Sequence, residues 1–163
     1  MSTIENGTTP SGATITKKKE NTDLNKYQTL FRKVMSDYPE YDYRIEKCAT
    51  QCLTDKNPVA ILFNKEDYEN CTEEDVFDLL HEIGHAKTNS DHNARCVREF
   101  EATKWAVAHA PEYGIKISEK RKKIFQDDVY YWREIQVKYG KYIESKHLRM
   151  YCLEKLKIDW GEV

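Results

Sequence analysis

The stretch DVFDLLHEIGHAKTN, residues 75–89, decides how the chain is read. Val76, Leu79, Leu80 and Ile83 recur at three- and four-residue spacing, which predicts a helix with one buried face. On such a helix His81 and His85 lie four apart, so both imidazoles leave the same face one turn from each other. Two histidines so placed make a clamp for one metal ion, with about 2 Å between each nitrogen and a bound zinc. Glu82 stands beside the clamp, where its carboxylate can take a proton from a water that zinc has acidified towards neutrality. HExxH on a helix therefore points to hydrolysis assisted by one zinc ion.

The residues before the motif start that helix. Thr72 is placed to cap it, Asp75 occupies the capping-box position, and Glu73 and Glu74 face the positive end of the dipole. The histidines then fall in the last turns of a helix running to about Lys87. Gly84 costs about 1 kcal/mol in a helix interior relative to alanine, which predicts that another element approaches closely there.

A catalytic zinc takes a third protein ligand, expected from an element packed across the first helix. His92, Glu99, Glu101 and His109 follow the motif. If ARCVREFEATKWAVAHA, residues 94–110, is helical, Glu99, Ala102, Thr103 and Ala106 share a face, giving a carboxylate among residues small enough for two helices to meet. Glu99 is the better match on that geometry, with Glu101 as the alternative two residues on. His92 misses the spacing and the glycine of the metzincin pattern.

Around this centre the chain reads as follows. Residues 1–22 carry no periodic apolar positions and are expected to be a disordered tail, leaving one domain over residues 23–163. Asp23 is the expected cap of a helix presenting Leu24, Tyr27, Leu30, Phe31, Val34 and Met35 and ending before Pro39. Tyr41, Tyr43 and Ile45 alternate as in an extended segment, TDKNP (54–58) reads as a turn, and VAILFN (59–64) as a short buried strand. TNSDHN (88–93) breaks the motif helix. Residues 118–139 form a further helix with Phe125, Val129, Trp132, Ile135 and Tyr139 on one side and Gly140 as its stop. Leu148, Tyr151, Cys152 and Leu156 suggest a last one.

Composition narrows the classes. A chain of 163 residues holds one core, and 39% hydrophobic with 12% aromatic residues suffices for it despite 33% charged residues. A net charge of -2 gives no field towards nucleic acid or an anionic membrane. No apolar run is long enough to span a bilayer, and the first twenty residues lack a secretory block, so the expected location is cytoplasmic. Cys48, Cys52, Cys71, Cys96 and Cys152 are odd in number and irregular in spacing, as reduced thiols are. A metal pair at Cys48 and Cys52 on a shared helix face would lack a second pair to complete four ligands.

The order of a strand, an acidic capped helix bearing HEIGH, a short break and then REFEATKWA (98–106) resembles the ImmA/IrrE metallopeptidases over residues 57–111. The resemblance implies an α+β fold, a small zincin-like domain, mostly helical, with a short antiparallel sheet flanking the HExxH helix. It also implies a gluzincin-type site with His81, His85 and Glu99 as zinc ligands and Glu82 as general base. The chain departs from the family at Thr103, where many members have Asp or Asn, and at AHAP (108–111), where they have Leu-Leu-x-Pro. The implied substrate is a helix-turn-helix repressor of a prophage or mobile element, cleaved or inactivated to release gene expression. No such DNA-binding region stands out here, so the partner is expected to be a separate protein. The alternative is a zincin-fold protein without catalysis that acts as an anti-repressor or stress regulator by contact alone.

Two further expectations concern the substrate. His109, Tyr113, Tyr130 and Tyr131 are the candidates by position for steadying an oxyanion. Residues 59–63 would hold an extended peptide by strand addition if they form an edge strand. The basic and aromatic run at 118–151 reads as a helix core with a solvated face rather than as a nucleic-acid surface, and it can equally dock the repressor.

Overall fold

The computed structural model describes residues 24–88, 95–139 and 157–161. It is mixed α and β and mostly helical, as expected for an α+β chain. The elements run α1 (Lys26–Asp37), β1 (Asp42–Glu46), β2 (Gln51–Leu53), β3 (Ala60–Asn64), α2 (Lys65–Glu69), α3 (Glu73–Thr88), α4 (Arg95–His109), a 3-10 turn (Ala110–Tyr113) and α5 (Glu119–Tyr139). The expected tail, the break with His92, the stop at Gly140 and the last helix lie outside the described residues.

Asn25, not Asp23, caps α1. Its side chain accepts from the N–H groups of Tyr27 and Gln28, and Gln28 returns the bond by accepting from the Asn25 N–H at 2.9 Å. Leu24 is consequently outside the helix and exposed, while Phe31 and Val34 enter the core. The helix stops at Asp37, before the Tyr38–Pro39 step that disfavours helical backbone.

The sheet is mixed, not antiparallel, and its order is β1-β3-β2. Two chain reversals separate β1 from β3, so those two run parallel, with Asp42 opposite Ala60 and Glu46 opposite Asn64. β2 runs antiparallel to β3, with Gln51 opposite Leu62 and Leu53 opposite Ala60. β3 therefore sits in the middle, and both its sides are occupied by neighbours. Its residues 60–63 cannot take up an added strand, which corrects that expectation and leaves β1 and β2 as the outer strands among the described residues. Cys48 and Cys52 lie on a bend and on β2, so they share no helix face.

Asn64 ends β3 and caps α2 by accepting from the N–H groups of Glu66 and Asp67. α3 then opens at Thr72, whose N–H and hydroxyl both donate to the Asp75 carboxylate, at 2.7 and 2.6 Å. Val76, Phe77, Leu79, Leu80 and Ile83 are fully buried along its inner side. α4 crosses α3 where Gly84 meets Ala102: a Cβ on Gly84 would stand 2.5 Å from the Ala102 carbonyl oxygen. α5 packs on α4 and is tied to α3 by the Asp78–Arg121 ion pair and the Ser118–Glu74 hydrogen bond. Among the described residues, no helix is long and apolar enough to cross a membrane.

Candidate metal centre

The α3–α4 crossing decides what faces what. With Gly84 against Ala102, His81, three residues before the contact, and His85, one residue after it, look across at the face of α4 that carries Glu99 and Thr103. Glu99 Oε2 lies 3.3 Å from His81 Nε2 and 3.3 Å from His85 Nε2. One ligand atom from each of the three residues falls within 4.8 Å of the other two, so the group can hold a metal ion. His81 is buried, His85 and Glu99 are partly so, and the imidazoles sit edge to face with centroids 4.6 Å apart.

Thr103 fixes the state of His81. Its hydroxyl has one proton, and the Glu99 carbonyl oxygen at 2.8 Å, which can only accept, takes it. At 3.1 Å from His81 Nδ1, the same hydroxyl must then accept, so Nδ1 carries the proton and Nε2 is the nitrogen turned to the ligand site. Thr103 therefore supports His81 from the ring nitrogen that faces away from the cluster.

Electrostatics follow from burial and from this convergence. Burial works against ionisation of Glu99, yet the hydrogen bonds and charges of His81 and His85 hold its carboxyl well below the usual range. For His81 burial works against the charged ring, but the Glu99 hydrogen bond and the charges of Glu82, Glu99 and Asp78 outweigh it and raise its pKa. Glu82 is shifted upwards, chiefly by burial, with the histidines opposing and the neighbouring carboxylates adding to the rise. A carboxylate in such surroundings is a stronger base than a solvated one.

The group opens into a cleft of about 320 Å³. Glu82 and His85 line its floor, Gln51 and Cys52 of β2 form one wall, and Arg95 and Arg98 of α4 form the other. Burial, with the charge of Glu82 added, pushes the Cys52 thiol up to about 12, so it stays protonated near neutral pH.

The sequence-predicted set His81, Glu82, His85 and Glu99 is thus brought together. Glu101 is not part of it and faces Lys104 at 3.9 Å. None of the four oxyanion candidates lines the cleft. His109 donates through Nδ1 to the Trp105 carbonyl and stacks on the Trp105 ring, Tyr113 donates to Asp37, and Tyr130 and Tyr131 are exposed on α5. Sequence reasoning missed the β2 wall, since three residues of strand carry little pattern, and Arg95, which has only helical register with Glu99 to mark it. No family model matches the chain, and neither a curated protein nor a solved structure matches it.

Proposed function

We propose that the chain is a zinc-dependent endopeptidase of the kind its resemblance to the ImmA/IrrE metallopeptidases implies. The observation that carries this reading is the convergence of His81 Nε2, His85 Nε2 and Glu99 Oε2 on one point beside Glu82. Two imidazoles and one carboxylate suit zinc better than calcium or magnesium, which prefer all-oxygen sites. Three protein ligands also leave a position open, as catalytic zinc sites do. When bound, zinc supplies Lewis acidity, polarising a peptide carbonyl and acidifying a water.

The chain's own residues do the rest. Glu82 takes the proton of the attacking water and passes it to the leaving amine. Thr103 keeps the Nδ1 proton of His81 in place, so that Nε2 stays available as a ligand. Gly84 admits the Ala102 backbone and so sets the distance between the histidines and Glu99. β2 pairs with β3 on one side only among the described residues, which supports strand addition of an extended peptide to its outer edge, along the wall of the cleft. Substrates are therefore proteins with an extended segment to offer, and the family's helix-turn-helix repressors are the class proposed. The support that Thr103 gives His81 favours catalysis over action by contact alone.

Incubating the purified protein with its cognate helix-turn-helix repressor, with zinc or with chelator, tests this reading. Zinc-dependent fragments are expected from the wild type, and none from Glu82→Gln at equal zinc loading. Cleavage that persists in Glu82→Gln removes Glu82 as the base. A repressor inactivated intact by zinc-loaded wild-type protein means action by contact alone.

A further inference from the structure

Arg95 occupies a place that its helix alone disfavours. It is the first described residue of α4, whose first described turn has no acidic side chain, and a cation towards this end opposes the positive end of the helix dipole. Its order with Glu99, cation before anion at four residues, is also the weaker one for helix stability. What it touches explains the placement. Arg95 Nε lies 3.4 Å from Glu99 Oε1, and its guanidinium carbon stands 3.7 Å from the centroid of the Trp132 ring on α5. The two oxygens of Glu99 are thereby divided: Oε1 meets the arginine, and Oε2 meets both histidines.

We propose that Arg95, seated over the Trp132 ring, is a positioning residue that fixes the Glu99 carboxylate with Oε2 towards the metal. The inference rests on the reading of His81, His85 and Glu99 as metal ligands. A planar guanidinium suits this role because it stacks and donates at once, which an ammonium cannot do. α5 thereby becomes part of the metal centre without supplying a ligand. The sign of the effect is diagnostic. An arginine near a bound cation repels it, so removing one that does not position Glu99 leaves metal affinity equal or tighter. Removing one that does position it weakens affinity.

The test is the zinc affinity of the full chain, stripped of metal and titrated against a chromophoric chelator. Arg95→Ala and Trp132→Leu are each expected to bind zinc about tenfold more weakly or worse, the range of losses usual when a group supporting a ligand is removed. Arg95→Lys falls between, and Trp132→Phe, which keeps an aromatic platform, stays near wild type. Arg98→Ala removes the neighbouring charge of the cleft wall and is expected not to weaken binding. Melting of each metal-free variant separates positioning from folding, and the Arg95 series with Trp132→Phe decides the matter should Trp132→Leu not fold. In cobalt-loaded protein, the visible absorption changes in Arg95→Ala and not in Arg98→Ala. Wild-type affinity in Arg95→Ala overturns this inference alone, whereas a wild-type chain that binds no metal overturns the ligand reading with it.

Discussion

Where one proton sits, on the Thr103 hydroxyl, decides which nitrogen His81 offers. Thr103→Val keeps the shape but leaves His81 Nδ1 with nothing to donate to at a buried position, so zinc affinity is expected to fall about 10- to 100-fold, with Thr103→Ser close to wild type; chelator competition measures both. A second outcome at this scale concerns pH. The raised pKa of His81 contributes stability to the metal-free chain that is complete below its unfolded value near 6.5 and is lost as pH rises through the folded value. The lowered pKa of Glu99 contributes stability present above its unfolded value near 4.5 and lost as pH falls through the folded one. The stripped chain should therefore gain most from this pair in mild acid, and zinc, which must displace the imidazole protons, should bind more tightly as pH rises from about 6 to 8. Melting curves with and without zinc across that range check it. His81, Glu82, His85 and Glu99 were legible in the sequence because helix periodicity converts spacing into direction. The Arg95–Trp132 contact was not, because the thirty-six positions between them carry no rule for which faces of α4 and α5 meet.

At the scale of elements, the α3–α4 crossing is the feature on which the site depends. Gly84→Ala gains about 1 kcal/mol of helix propensity but sets a Cβ 2.5 Å from a backbone oxygen that no rotamer can move. The helices must part, so a net loss of about 1–2 kcal/mol in denaturant unfolding is expected, with weaker zinc binding because Glu99 and Thr103 move with Ala102. The glycine announced this close approach, since an uncompensated glycine inside an amphipathic helix needs a reason. The sheet was less legible. The short apolar run at 59–63 after the TDKNP turn marked β3, but nothing in three residues at 51–53 marked a strand, and without β2 the parallel pairing of β1 with β3 could not be foreseen. α2 was missed for a similar reason, as four charged residues behind the Asn64 cap with Tyr68 alone turned to the core cannot generate a period.

For the whole molecule, one core joins these elements: Phe31 and Val34 of α1, Ile61 and Phe63 of β3, the inner side of α3, Cys96 and Val97 of α4, and Val129 of α5. α5 closes the bundle and also brings Gln136 to the start of α4, where its side-chain oxygen accepts the Cys96 N–H at 3.1 Å. A ligand that binds only this folded arrangement stabilises it: at a free zinc concentration of 100 times the dissociation constant the gain is about 2.7 kcal/mol, which raises the melting temperature by about 5–10 °C for a chain of this size. Calorimetry with and without chelator reads that difference. The most direct test of the central claim, that His81, His85 and Glu99 hold one metal ion, is elemental analysis of the purified chain after zinc supply and removal of free metal. About one equivalent of zinc per chain is expected for the wild type and for Glu82→Gln, and little for His85→Ala; a wild-type chain holding less than about a tenth of an equivalent of any transition metal would contradict the account.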